Sequence, residues 1–302
     1  MQLRRFVLIA PSILMVLVVM TPIASASSFS SVVVYGDSLS DNGNLFSLIG
    51  YPPAPYYMGR FSNGPVIAEQ LAADLGAPLY DFAVGGATSG IGNYIDGGTQ
   101  TALGTFGLPG MALEVASPGS TAILSSPLTS TGLFMVWGGA NDFLTGGSPT
   151  VAAADIDAIV AELEGDGVKN ILVPGMPDLG LTPDFFGDPV ATAYSQAFNT
   201  TLQATLPAGA TYVDTFNLLQ QLESNPSAYG LTDVTDPCFN GVTVCSDPSQ
   251  YLFWDGFHPT TAADAIVAQD FEAAATPEPS TLLLLGTAIP GLMMVVRRRR
   301  MA

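Results

Sequence analysis

Five short apolar runs recur along the chain: Val32 to Tyr35, Leu79 to Val84, Leu133 to Trp137, Ile171 to Val173, and Tyr212 to Val213. None alternates strictly between apolar and polar positions, and a strand covered on both faces has no reason to, so these runs predict buried parallel strands. The segments between them carry a helical period instead. Ile156, Ile159, Val160 and Leu163 stand at i, i+3, i+4 and i+7; Tyr194, Phe198 and Leu202 recur every fourth residue; and a last periodic segment runs from Thr260 to Ala274. Strands alternating with helices predict an α/β domain around a central parallel sheet.

One region resists this pattern. Gly90 to Pro127 is rich in Gly, Thr, Ser and Pro and has little periodicity. A connection of that length is unusual unless functional, so it reads either as a border of a substrate cleft or as a surface excursion. No internal repeat is present.

The two ends have patterns of their own. Residues 1 to 26 combine Arg4 and Arg5, an apolar run from Phe6 to Met20, and Ala24-Ser25-Ala26, the layout of a secretory signal peptide. Thr276 to Ser280, with Pro277-Glu278-Pro279, reads as a linker. Beyond it, Leu282 to Val296 is apolar except for Thr287 and leads into Arg297 to Arg300. That run is slightly short for a membrane span of roughly 17 to 25 residues, and Gly286, Pro290 and Gly291 weaken its helix. The arginines argue for a cytoplasmic end. The expected layout is therefore a signal peptide (1–26), an exported domain (27–275), a linker (276–280) and a membrane segment with its basic tail (281–302).

Charge sharpens the picture. The chain has 302 residues, 48% of them hydrophobic, enough for a large packed core. Only Arg60 and Lys169 are basic between residues 27 and 275, against 25 acidic residues, a net charge of about −23. Such a surface repels nucleic acid and anionic membranes. Cys238 and Cys245, the only cysteines, lie in a loop-like stretch with Pro237, Asn240 and Gly241, and two cysteines in an oxidising compartment are expected to pair. One histidine and this pair make no ordinary transition-metal site.

The candidate chemistry is nucleophilic. His258 is the only histidine, in Asp255-Gly256-Phe257-His258-Pro259. Pro259 disfavours helical geometry at His258 and suits the first turn of the helix after it, so the imidazole belongs on an extended loop at a helix entrance. There Asp255, three residues back, is placed to accept from one ring nitrogen while the other faces a serine. The serine candidate is Ser38 in Gly36-Asp37-Ser38-Leu39, directly after the first apolar run, where ligands of open parallel sheets bind. Gly85-Gly86 follows the second run and Gly138-Gly139-Ala140-Asn141-Asp142 the third, which offers close backbone N–H groups and a side-chain amide. Each motif taken singly also reads as a turn or helix cap. Their shared placement after three successive strands favours a site.

Together the motifs resemble the GDSL or SGNH hydrolases, whose four blocks appear in order as Gly36-Asp37-Ser38-Leu39, Phe82-Ala83-Val84-Gly85-Gly86-Ala87-Thr88, Gly139-Ala140-Asn141-Asp142 and Asp255 to Pro259. The likeness covers most of residues 31 to 272. It is nearest the branch of autotransporter esterases and thermolabile-haemolysin-type lipases, through Pro177-Asp178-Leu179-Gly180-Leu181-Thr182-Pro183 and Leu252-Phe253-Trp254-Asp255-Gly256. It implies a flavodoxin-like three-layer α/β/α sandwich. It also implies Ser38 as nucleophile, His258 as base, Asp255 as its orienter, and an oxyanion hole from the N–H groups of Ser38 and Gly86 and the Asn141 side chain, with no metal or cofactor. Asp81 stands where the family commonly has asparagine. The tail resembles a PEP-CTERM sorting signal, which implies an exosortase-like processing partner.

These features predict an exported esterase or lipase acting on a small acyl ester, a lipid or an acylated polysaccharide. O-acetyl esterase activity on exopolysaccharide is one alternative, and a catalytically silent surface or matrix binding protein is another. A Ser–Lys hydrolase is disfavoured because Lys169 precedes the fourth run, away from the site. A P-loop enzyme lacks its Gly-Lys-Ser/Thr signature.

Overall fold

The computed structural model describes residues 29 to 276. The signal peptide, the Pro-Glu-Pro motif and the apolar, arginine-ended tail lie outside the described residues. Among the described residues no helix is long and apolar enough to cross a membrane.

Five strands form the central sheet: β1 (Val32–Gly36), β2 (Leu79–Asp81), β3 (Leu133–Trp137), β4 (Asn170–Pro174) and β5 (Ala210–Val213), in the order β2-β1-β3-β4-β5. All four pairings are parallel, with Val32 opposite both Leu79 and Leu133. The order reverses direction between β1 and β3, and open α/β sheets bind ligands at that switch point, beyond the carboxyl ends of the strands. Among the described residues ten α-helices accompany the strands: α1 (Asn44–Ile49), α2 (Ile67–Asp74), α3 (Met111–Val115), α4 (Pro118–Leu124), α5 (Leu128–Thr131), α6 (Ala140–Leu144), α7 (Pro149–Gly165), α8 (Pro189–Thr205), α9 (Thr215–Ser224) and α10 (Thr261–Ala275).

The strands read as continuous apolar runs because each of their two faces has its own core. Val33, Tyr35, Phe134, Val136, Ile171 and Val173 face α7 and α8, where Ile156, Val160, Leu163, Phe198 and Leu202 meet them. The intervening residues Val32, Val34, Leu133, Met135 and Leu172 point the other way, onto Ile67 and Leu71 of α2 and Ala268 and Phe271 of α10. The period of two thus divides apolar residues between two layers instead of separating core from solvent. The three-layer α/β/α architecture follows.

Two predicted features differ in detail. The second apolar run continues to Val84, but regular strand ends at Asp81; the Phe82 and Val84 N–H groups still donate to the carbonyls of Val34 and Gly36 at 2.9 and 3.2 Å, so the chain follows β1 while turning into the site. A separate two-stranded parallel ribbon, β6 (Asp233–Pro237) with β7 (Tyr251–Phe253), precedes the Asp255 loop; β6 has no apolar pattern and β7 is a buried run of only three residues. Cys238 and Cys245 form a disulfide at the end of this ribbon.

Candidate active site

Three strand ends and one helix entrance converge on a cleft of about 530 Å³. The first contribution comes from the turn after β1. The Asp37 carbonyl accepts the N–H groups of Ser40 and Asp41, both at 3.0 Å, and its carboxylate accepts that of Leu39 at 3.1 Å. Ser38 sits inside this turn with its side chain in the cleft, and its own N–H has no acceptor among the described residues.

The second contribution is Gly86, whose N–H is likewise without an acceptor. Its φ of 83° lies in the left-handed region, and a Cβ there would stand 2.4 Å from the Asn93 amide oxygen, so glycine is required on both counts. The Gly90 to Pro127 stretch supplies that neighbour and is a border of the cleft: Tyr94 and Ile95 line it, and the Tyr94 N–H donates to the Gly86 carbonyl at 2.8 Å. The same stretch carries Glu114, whose carboxylate accepts the N–H groups of Gly36 at 2.9 Å and Val84 at 3.1 Å. It thereby ties together the two strand ends that lead to Ser38 and Gly86. Burial pushes the Glu114 carboxyl well above the usual range.

Asn141 opens α6 after β3 and borders the cleft. Its amide donates to the Ala87 carbonyl at 3.0 Å and, at 3.3 Å, to an Asp37 carboxylate oxygen. The adjacent Asp142 accepts the N–H and hydroxyl of Ser89, both at 2.9 Å, and so ties the third block to the residue directly after the second; burial raises its pKa to about 7.

His258 closes the constellation. Its Nε2 stands 2.8 Å from Ser38 Oγ and its Nδ1 2.9 Å from Asp255 Oδ2. The conformation of the loop holding it is set by local hydrogen bonds. Asp255 Oδ1 accepts the N–H groups of Phe257 and His258 at 2.8 and 2.7 Å, the His258 carbonyl accepts the Trp254 N–H at 2.7 Å, and Thr260 caps α10. Burial alone pulls the His258 pKa down, but the charge and hydrogen bond of Asp255, with Asp37 and Asp184 nearby, reverse this and leave it above the ordinary 6.5. For Asp255, burial raises and His258 lowers, and the net is a carboxyl below its usual range.

The structure therefore brings together all five residues singled out by sequence: Ser38, Gly86, Asn141, Asp255 and His258. Others were missed. Tyr56 donates to Asp255 Oδ2 at 2.7 Å, its ring packed edge-on to Phe61, Phe239 and Trp254. Phe61 lies against the imidazole with ring centres 4.9 Å apart. No spacing in the sequence marks either residue. Asp41 is marked in the sequence by Asp41-Asn42-Gly43 directly before a helix. Its carboxylate accepts the N–H groups of Gly43, Asn44 and Leu45 and, from the neighbouring turn, that of Gly85 at 2.7 Å. Asp81 fills its unusual position by accepting the Ala83 and Asn42 N–H groups at 2.9 and 3.0 Å.

A doubly wound sheet with a serine, an imidazole and a carboxylate linked in sequence at its switch point is the frame of a serine-hydrolase class. The chain belongs to the GDSL-like Lipase/Acylhydrolase family, whose model matches residues 32–271. It is 30% identical to the thermolabile hemolysin of Vibrio parahaemolyticus, over 80% of this chain and 62% of that one. It is 32% identical to the phosphatidylcholine-sterol acyltransferase of Aeromonas hydrophila, over 73% and 68%. It is 28% identical to esterase EstA of Pseudomonas aeruginosa, over 87% and 49%. The chain thus spans about half to two thirds of the length of these curated relatives.

Proposed function

We propose that the chain is an exported hydrolase of carboxylic esters that works through an acyl-enzyme. The observation that carries this reading is the 2.8 Å approach of Ser38 Oγ to an imidazole held from behind by Asp255, beside two backbone N–H groups with no acceptor. Ser38 Oγ attacks the ester carbonyl while His258 Nε2 takes its proton. The negative charge that develops on the carbonyl oxygen is met by the N–H groups of Ser38 and Gly86. The Asn141 amide completes the hole by exchanging its long contact with Asp37 for the oxyanion. The imidazolium then protonates the departing alkoxide, leaving the acyl group on Ser38. Water, deprotonated by His258, attacks that ester, and the proton returns to Ser38 as the acid leaves.

Family membership supports the reaction class, and the site uses neither metal nor cofactor in any of these steps. His258 must be neutral to act, so kcat/KM for a p-nitrophenyl ester is expected to rise with pH. Because Asp255 holds the imidazole pKa above 6.5, the midpoint of the rise belongs above that value. A midpoint below 6.5 would show that the carboxylate does not govern the base.

The hydrolase domain is taken as residues 27–275. Export rests on the signal-peptide layout of residues 1–26, and on the disulfide, which suits an oxidising compartment. The likeness of Pro277-Glu278-Pro279, the apolar run and Arg297 to Arg300 to a sorting signal supports removal of the tail by an exosortase-like enzyme. Mass spectrometry of the exported protein is expected to find a C-terminus upstream of Arg297; intact arginines on the mature protein would exclude processing.

A further inference from the structure

The strap from Asn42 to Gly59 carries no charged side chain, in a domain where 25 acidic residues face two bases. Between Phe82 and Leu113 the only charged residue is Asp96, and it is buried with its carboxylate accepting the Phe106 and Leu108 N–H groups. These two segments flank the cleft: Tyr51 and Tyr56 from the strap and Tyr94 and Ile95 from the second segment line it. They are joined beneath by one apolar cluster in which Leu45, Tyr56, Ile95 and Leu108 meet.

Their outer surface is rich in apolar side chains as well as uncharged. Nine of the fifteen exposed large hydrophobic residues among the described residues belong to them, with Leu48, Met58 and Phe106 at 58%, 67% and 73% exposure. Exposed apolar side chains gathered on both segments that flank a cleft point to an interaction face. Arg60, the base that ends the strap, is paired with Glu69 at 2.7 Å and adds no free positive charge.

We infer that this rim is a docking face for an electrically neutral lipid surface, which presents ester substrate to the cleft from its own plane. The charge distribution selects the partner. An anionic bilayer is repelled by the rest of the domain and finds no cation on the rim, whereas a zwitterionic surface meets uncharged side chains, the large exposed ones apolar. Burying Leu48, Met58 and Phe106 in acyl chains supplies the attraction. The purpose assigned to the face rests on the ester-hydrolase reading, but the binding itself does not.

The test uses the full chain carrying Ser38→Ala, so that vesicles survive, with Leu48→Trp, Phe106→Trp or Ser130→Trp added singly. The native Trp137 and Trp254 are buried and report little. Ser130 is exposed just before β3, at the end of the sheet away from the cleft. On phosphatidylcholine vesicles with brominated acyl chains, emission from the tryptophans at 48 and 106 is expected to be quenched and that at 130 unchanged. Quenching is expected to weaken as anionic phosphatidylglycerol is added. The triple variant Leu48→Ser, Met58→Ser, Phe106→Ser, with Ser38 intact, should lose vesicle partitioning by about tenfold or more while turning over soluble p-nitrophenyl acetate at the parent rate. Equal quenching at all three sites would overturn the inference, as would none at 48 and 106. A concentration-dependent dimer abolished by the triple variant would also overturn it, by assigning the face to a second copy. Soluble-ester turnover is read separately, so its absence from the parent would defeat the hydrolase reading and leave the docking face standing.

Discussion

Replacement of Ser38 by alanine is expected to lower kcat for p-nitrophenyl esters by about 10⁴- to 10⁶-fold and to abolish labelling by a phosphonate. The change removes a side-chain oxygen whose only hydrogen-bond partner among the described residues is His258 Nε2, so no hydrogen bond within the turn depends on it. The Asp37 carbonyl and carboxylate hold the turn through the backbone of Leu39, Ser40 and Asp41, which alanine leaves in place. Thermal unfolding should accordingly match the parent. Both backbone donors also survive, and a residual rate above that in water is expected from them. Hydrolysis at the parent rate by this variant would place the reaction elsewhere.

The parts of this site that were legible in the sequence are those whose chemistry is local. Ser38, Gly86 and Asn141 each follow an apolar strand by a few residues, and in a parallel sheet the carboxyl ends of neighbouring strands must lie together. Position after a strand therefore became position in space. His258 could be read because it is unique, and Asp255 because a turn of three residues brings its carboxylate back to the ring.

What stayed hidden depends on long-range folding. Tyr56 reaches Asp255 across 199 positions, and Glu114 reaches Gly36 across 78; no periodicity records such a pairing. Glu114 also lies in a stretch whose glycines suppress the helical pattern, although α3 and α4 are formed there. The ribbon β6-β7 was missed because β7 is only three residues long, although Leu252 and Phe253 are buried, and Asp233, Asp236 and Pro237 give β6 no apolar face. The two core layers, in contrast, were implied by the lack of alternation in the strands.

The Gly90 to Pro127 stretch shows why a weak pattern can coincide with an important region. Its carbonyls and amides are satisfied by close turns: the Ile91 and Gly92 N–H groups donate to Gln100 and Thr99 at 2.9 and 3.0 Å, and the Gly110 N–H returns to Ile91 at 2.9 Å. Chains packed this closely have no room for side chains; a Cβ on Gly90 or Gly92 would stand 2.0 Å from a carbonyl oxygen. The composition that obscures secondary structure is thus what allows the segment to clamp Gly85 and Gly86 through Asn93, whose amide donates to the Gly85 carbonyl at 2.9 Å.

Exchange of Asp255 for asparagine is expected to lower kcat by about 10⁴-fold with little change in fold, and the hydrogen bonds around residue 255 say why. Oδ1 receives the N–H groups of Phe257 and His258 at 2.8 and 2.7 Å, so an asparagine must direct its oxygen to them. The amide nitrogen then occupies the place of Oδ2, facing His258 Nδ1, with which Oδ2 is in contact at 2.9 Å. Oδ1 also stands 3.0 Å from Nδ1 but already accepts two backbone N–H groups, so the NH₂ group at the nearer position becomes the partner of Nδ1, donates to it and favours the imidazole proton on Nε2. Nε2 is the atom that must take the proton of Ser38, and in this tautomer it already holds one. The pH profile separates this cause from simple displacement of the ring. With the anion gone, burial is the largest remaining influence on His258 and drives its pKa down, so the acid limb of kcat/KM should move to lower pH than in the parent. A variant that lost activity with its acid limb unmoved would show that Asp255 acts by shaping the loop, and the assignment of tautomer control to its carboxylate would fall.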